Sequence, residues 1–402
     1  MTIQLVTRPL SEFTDAEVDL NDLAGSDGLL FVRNGVGFAG LGELARVPLT
    51  ESEELLAGLI FDSTVDAPGT SGVTIGWHPF SGNDGVAVLP AITVGKSPQQ
   101  PPWVTFPRGD ESTVRAALDS IPPIHVGTAS YSIRAGVPVP RYLEAVAKAR
   151  DAARRGDIVK AVIARDIIVE SSEAIDVRTL LKRLKASFGS SYRYSIDGLV
   201  GASPELLVEK INDQVRSHPL AGTCPRTGDP ETDNALAAEL RASSKNQLEH
   251  RVVIDMVHDT LLPWCSFLDW QPEPEIVAVA NVQHLGTRVE GTLSQPLPSV
   301  IDLVRALSPT PALGGHPRAA ALNLIAEYEG MDRGRYGGAV GWTDRDGNGT
   351  WAVTIRCAEL SPDRRSARLF AGGGIVADSD PLSELAETQT KLQAMLAAIV
   401  RP

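Results

Sequence analysis

The sequence predicts a layered α/β fold of the α+β kind with substantial antiparallel pairing, on three observations. Alternating or β-branched runs come in adjacent pairs broken by short turns, as over 192–211. Long stretches with apolar residues at helical spacing stand between them, over about 140–156, 231–262 and 382–400. No repeat with a period of 20–50 residues links these segments, so strand pairs and helices must share one layered core.

The 402 residues set a prior of two or three domains, or one large α/β unit. With 43% hydrophobic and 22% charged residues the chain can bury a sizeable core, which excludes a fibre or a disordered chain. The net charge of −13 repels a phosphate backbone, and no basic patch offsets it. Cys224, Cys265 and Cys357 form no CxxC pair, so neither a zinc site nor a disulfide framework is indicated. The start, MTIQLVTRPL, lacks the pattern of a secretory signal, and no apolar stretch reaches the ~18 residues of a membrane span. A cytoplasmic, soluble monomer is expected, with small-molecule partners, no nucleic acid and no membrane.

Residues 1–125 read as short strands and loops, with strands at 28–33 and 72–77. The proline-rich 95–107 reads as a loop between sub-lobes or a linker between domains. From about Pro140, Tyr142, Val146, Ala149 and Ala153 mark a helix that Gly156 ends. A strand follows at 158–169, where Lys160 shares a face with Ile158 and Val162. A strand pair covers 192–211, turning at Asp197-Gly198 and broken again at Ser203-Pro204. A loop is expected at 219–228 and one long helix at 231–262. Strand 351–356 alternates Trp351, Val353 and Ile355 against Ala352, Thr354 and Arg356; strand 368–376 is interrupted by Gly372, Gly373 and Gly374; a helix closes the chain over 382–400.

Several residues are chemically out of place in these elements. Glu249 shares the apolar stripe of Val252, Val253 and Met256, where an unpaired carboxylate costs several kcal/mol. It is either an ion pair or a helix end reaching water, or else a ligand for a hard cation such as Mg²⁺. Glu384, Glu387 and Lys391 line one face of the closing helix; Glu387–Lys391 reads equally as a surface i,i+4 pair. Lys160 in its β-branched strand either snorkels to an edge or, buried among apolar neighbours, becomes a general base. Arg356 is either an edge charge or a fork for a carboxylate. The Gly372–Gly374 run allows close anion approach but matches no nucleotide-binding motif.

Read together, these segments resemble the chorismate-utilising enzymes, the family of isochorismate, salicylate, anthranilate and aminodeoxychorismate synthases. The matching stretches are Gly201-Ala-Ser-Pro-Glu205, Pro219-Leu-Ala-Gly-Thr223, Ser244-Lys-Asn-Gln-Leu-Glu-His250, Gln283-His-Leu-Gly-Thr287, Ser308-Pro-Thr-Pro-Ala-Leu-Gly-Gly-His-Pro317, Arg335-Tyr-Gly-Gly-Ala-Val-Gly-Trp342, Thr354-Ile-Arg-Cys357 and Ala371-Gly-Gly-Gly-Ile-Val376. They fall in family order over about 130–402; the first 120 residues match loosely.

The resemblance implies one large domain of layered, mostly antiparallel sheets with flanking helices, in which 1–125 completes the sheet and 126–402 is the catalytic, chorismate-binding region. It implies that Glu249 and Glu387 hold Mg²⁺. It implies that Arg356, Lys391 and the Gly373 and Gly374 amides hold substrate carboxylates, that Gly222 and Thr223 line the ring, and that His284 stands near the leaving hydroxyl. Lys160 stands where ammonia-adding members carry Gln, which implies water as nucleophile, and Ala221 stands where aminodeoxychorismate synthases carry a nucleophilic lysine. The implied reaction is isochorismate synthesis, an isomerisation feeding menaquinone or siderophore biosynthesis. In it Lys160 takes a proton from water attacking C2 and a protonated Glu205 gives one to the departing C4 hydroxyl.

Salicylate synthase is the alternative, adding pyruvate elimination: Tyr336 beside the ring leaves room for it, while the apolar Leu313 pulls the other way. A non-catalytic relative would have lost one of Lys160, Glu205, Glu249 or Glu387, and all four are present. One departure from the family pattern is Asn246 where an acid is common. It can hydrogen-bond metal waters but supplies no charge, so weaker Mg²⁺ binding is expected.

Overall fold

Apolar residues on both faces of a strand demand cover on both sides. Within Leu29–Arg33, Leu29 and Phe31 face one core and Leu30 and Val32 another. The computed structural model describes residues 3–82, 85–119 and 129–401. The expected boundary at 125/126 lies outside the described residues. Among them the strands form sheets of thirteen, nine and three strands. Pairing is antiparallel throughout the ladders except between Gln4–Pro9 and Ile60–Ser63, so the layered, mostly antiparallel architecture is as expected.

One core lies between the two large sheets, where Phe38 meets Trp103 and Trp342. The second lies between the other face of the 13-stranded sheet and the helices Leu20–Ala24, Glu111–Asp119, Val177–Phe188 and Pro381–Val400. N-terminal strands pair directly with later ones in both sheets: Val32 opposes Arg193, and His78 opposes Ala339.

Most sequence-read elements form where the pattern puts them. The strands Leu29–Arg33 and Val73–His78 match 28–33 and 72–77. The helix Val139–Arg155 buries Tyr142, Val146 and Ala149 and ends at Gly156 with φ +81°. The strand Lys160–Ser171 pairs with Ser366–Ile375 from Ala161 to Glu170.

Five expectations are corrected. The segment 95–107 is neither loop nor linker as a whole: Ile92–Lys96 and Trp103–Pro107 pair antiparallel within one sheet, leaving only the turn between them irregular. The segment 219–228 carries the strand Leu220–Pro225 of the three-stranded sheet; Gly222, at φ +72°, and a register shift between Ala221 and Thr223 break the alternation that would have revealed it. The helix over 231–262 is two helices, Pro230–Ala242 and Ser244–Leu261, because Ser243 is extended and its hydroxyl caps the second by accepting from Asn246 N. Strand 351–356 stops at Val353, and Arg356 has φ +52°. The strand Ser366–Ile375 runs through its three glycines without interruption. There the glycines make room: a Cβ on Gly373 would lie 2.7 Å from Glu384 Oε2, and one on Gly374 2.4 Å from Glu249 Oε1.

A Cβ added at Gly156 meets nothing within 4 Å, so its replacement costs only the left-handed backbone. Gly156→Ala is expected to lower stability by about 1–2 kcal/mol without touching any contact. The shift of the denaturant midpoint measures it, and an unchanged midpoint would refute it.

Candidate active site

The candidate site lies where the three sheets meet, and two of its residues, Glu205 and Arg356, occupy the crossings between the two large ones. Glu205 falls between Leu199–Ser203 of the 13-stranded sheet and Leu206–Ile211 of the nine-stranded one. Ser203 Oγ accepts from Glu205 N at 3.3 Å, and Glu205 O accepts from Val353 N at 3.1 Å, which fixes the bend. Arg356 occupies the return crossing, between Gly349–Val353 and Cys357–Leu360, and its carbonyl accepts from Ala202 N at 3.0 Å. Gly222 and Thr223 on Leu220–Pro225, and His284 on Val282–Gly286, bring in the three-stranded sheet.

A single cavity is lined by Lys160, Glu205, Gly222, Thr223, Glu249, His284, Leu313, Tyr336, Arg356, Gly374 and Lys391. Of the sequence-selected residues only Gly373 and Glu387 lie off its wall. Gly373 turns its Cα toward Glu384 instead. Glu387 is bonded to Lys391 at 2.6 Å at one end of the site, within electrostatic reach of Arg356. A roomier cleft between the large sheets, at Phe31, Trp103 and Trp342, contains none of these residues.

Lys160 is 1% exposed, and its surroundings are not the apolar ones expected. Its Nζ lies 2.8 Å from Glu249 Oε1, so the two out-of-place residues answer each other. Burial pushes the Glu249 carboxyl up, but the charge and hydrogen bond of Lys160 outweigh it and hold it below the ordinary carboxylate range.

Glu205 is the opposite case. It is 2% exposed and Oε1 has no hydrogen-bond partner among the described residues. Burial pushes its pKa to about 8, against the opposing pull of the Leu220 N–H and of Lys160 and Arg356. The group is therefore mostly a neutral acid at pH 7, able to donate a proton.

His284 Nδ1 lies 3.1 Å from Gly222 O and 3.2 Å from Thr223 Oγ1, and Arg356 Nη2 lies 3.1 Å from Nε2. A carbonyl only accepts, so Nδ1 carries the proton and Nε2 accepts from Arg356. Burial, with the charges of Arg356 and Lys391, holds the imidazole well below its ordinary pKa, which keeps it neutral. His284 thus aims Arg356. Lys391 donates to Gly372 O at 2.9 Å, and Tyr336 stacks on Phe370 at 5.0 Å with an interplanar angle of 8°.

Sequence reading missed four contributors. Glu384, noted for its helix face but given no role, is buried and accepts from Ser379 Oγ at 2.7 Å; burial and the charge of Glu387 raise its pKa. Lys245 reaches it at 3.4 Å. Glu329 and Arg333 form a buried pair at 2.6 Å behind the site. Their i,i+4 spacing reads as a surface pair, so no local signal marks them. Among the described residues no group of three or more His, Cys, Asp or Glu is gathered to hold a metal.

The family described as chorismate binding enzyme matches residues 118–400, and the chain belongs to that family. Among its relatives, a Mycobacterium tuberculosis protein provisionally named isochorismate synthase MenF is 41% identical over 344 residues, 82% of this chain and 87% of its own. Isochorismate synthase EntC of Escherichia coli K12 is 41% identical over 256 residues, 62% of this chain and 65% of its own. The solved menaquinone-specific isochorismate synthase MenF of Escherichia coli shares the fold with a TM-score of 0.86 at 23% identity, over 99% of this chain and 94% of that one.

A carboxyl held neutral in the fold and ionised in the unfolded chain makes stability fall as pH rises from the unfolded value near 4.5 toward 8. Glu205→Gln removes that dependence. The variant is expected to gain on the wild type by up to about 1.4 kcal/mol per pH unit across this window, with no further gain above it. Denaturant unfolding between pH 5 and 9 measures the difference, and a difference flat in pH would refute the buried neutral acid.

Proposed function

We propose that this protein is an isochorismate synthase, an isomerase that adds water at C2 of chorismate and expels the C4 hydroxyl. The observation that carries the reading is the pairing, in one cavity, of a buried lysine with a buried carboxyl whose Oε1 has no hydrogen-bond partner among the described residues and whose pKa burial raises. Water addition needs a base at one carbon and an acid at the other, and no net redox change. The names of the relatives point the same way, and none of those described above is a salicylate synthase, so that alternative is not carried forward.

In the proposed mechanism Lys160 serves as the base once the ammonium of its ion pair with Glu249 has lost a proton to solvent, and then takes a proton from the water whose oxygen bonds to C2. Both ring double bonds shift, C1=C2 to C1=C6 and C5=C6 to C4=C5, the C4–O bond breaks, and Glu205 gives its proton to the departing hydroxyl, which leaves as water. Arg356, aimed by neutral His284, and Lys391 offer donors to the substrate carboxylates. Leu313 and Tyr336 give the ring a mostly apolar wall that limits stray water.

The family implies Mg²⁺, and the donors here suit it. Glu249 and Glu387 present hard carboxylate oxygens, and Mg²⁺ is commonly held by one or two carboxylates together with substrate oxygens and water. These two residues would hold the ion, which when bound would neutralise a substrate carboxylate. Asn246 adds no charge, and its Nδ2 is engaged in donating to Ser243 Oγ at 2.9 Å.

Incubation with chorismate and Mg²⁺, with chromatographic separation and a pyruvate assay, tests the reading. An isomer peak approaching equilibrium without pyruvate is expected, abolished by Lys160→Ala and by removal of divalent ions. Equimolar pyruvate, or turnover that survives Lys160→Ala, would refute it. Asn246→Asp is expected to lower the Mg²⁺ concentration for half-maximal rate severalfold, and an unchanged titration would count against the metal placement.

A further inference from the structure

The strand Lys160–Ser171 is fully partnered on one edge only. There it pairs with Ser366–Ile375 from Ala161 to Glu170. On the other edge Gly315–His316 pairs with Lys160 and Ala161, and Gly314 O accepts from Val162 N at 2.9 Å. Further along, Tyr131–Ala135 pairs from Ile167 onward, and Gly136 N donates to Asp166 O. Between these two neighbours Val162 O and Ala164 N–H face no strand among the described residues.

Side chains fill the gap. Arg333 Nη2 donates to Val162 O at 2.7 Å, and Glu329 Oε2 accepts from Ala164 N at 2.7 Å. The two are joined as a fork, Nε to Oε1 at 2.7 Å and Nη2 to Oε2 at 2.6 Å. Arg333 Nη1 also donates to Leu313 O at 2.7 Å, and its backbone carbonyl accepts from Tyr336 N at 2.9 Å. Both side chains are at most 2% exposed.

Val162, Leu313 and Tyr336 are cavity wall, and Lys160 stands two residues before Val162 on the same strand face. We infer that Glu329 and Arg333 form a positioning pair that stands in for a missing strand segment, setting both the reach of Lys160 and the ring wall. This deepens the proposed function and rests on it. A buried ion pair is weak ground for stability, since an apolar pair of similar volume often replaces it at no loss. What an apolar pair cannot supply is the three backbone contacts that hold base and wall in register. Lysine at 333 would keep the charge, but its point-like ammonium cannot span Glu329, Val162 O and Leu313 O together.

The test compares wild type, Glu329→Leu/Arg333→Met and Arg333→Lys in the isochorismate assay, with thermal melting of each. The double variant is expected to melt below the wild type, because Val162 O, Ala164 N–H and Leu313 O lose their partners, and to keep KM within about threefold, because Arg356 and Lys391 are untouched. Its kcat is expected to fall ~10- to 100-fold, the scale for a displaced reacting group, with R333K intermediate. If the double variant fails to fold, R333K alone decides: a lower kcat at unchanged KM supports the pair. An undiminished kcat in the double variant, or in R333K where that alone decides, overturns it, and so does a loss that moves kcat, KM and melting together. Absence of wild-type turnover is a separate outcome, overturning the proposed function and the inference with it.

Discussion

The Lys160–Glu249 ion pair is the constraint around which the site is built. A buried ammonium costs several kcal/mol unless a carboxylate meets it, so the helix Ser244–Leu261 must approach the strand Lys160–Ser171 closely enough for a 2.8 Å contact. That approach crosses the neighbouring strand at Gly374, where any Cβ would collide with Glu249 Oε1 and Lys160 Cε. Gly373, on the opposite face, yields the same room to Glu384. The glycine run follows from the carboxylates packed against both faces of one strand, and backbone anion binding is not needed to explain it.

The same cavity holds two carboxyl groups with opposite proton occupancy. Glu249 has a lysine at hydrogen-bond distance and is held ionised; Glu205 feels Lys160 and Arg356 only at longer range, and burial prevails. Chemical division of labour between identical side chains here comes from which one the lysine touches. The pair also answers what two anomalous residues could not answer separately in the sequence. Each looked like a stray charge in an apolar pattern, and each is the other's reason for being there.

Legibility in the sequence followed the range of the interactions. Periodicity located the helix Val139–Arg155 and the strand Lys160–Ser171, because both depend on local burial. It ran the two helices around Ser243 together, since a single extended residue scarcely disturbs a 3.6-residue pattern and only the hydroxyl cap reveals the break. It lost the strand Leu220–Pro225 to a glycine at positive φ and a register shift. The candidate site residues stood out because a charge in an apolar run is conspicuous, and family-like motifs grouped them. Glu329 and Arg333 were invisible because their partners, Val162, Ala164 and Leu313, are distant in sequence, while their own spacing mimics a solvated helix pair.

Arg356 shows what a crossing between sheets offers a charged side chain. A strand residue aims its side chain along the direction that the pleat sets, whereas a residue leaving one sheet for another can take an unusual backbone angle. Arg356 does so at φ +52°, a conformation costing about 1–2 kcal/mol for a residue with a Cβ. The contacts around it hold that angle: its carbonyl is fixed by Ala202 N, the Ile355 carbonyl by the Tyr194 hydroxyl at 3.0 Å, and its guanidinium by a histidine of defined tautomer. Since those bonds exist before any anion arrives, the guanidinium need not be reorganised on binding. The backbone strain stored at the crossing thus becomes a preset direction for charge, available to whichever carboxylate enters the cavity.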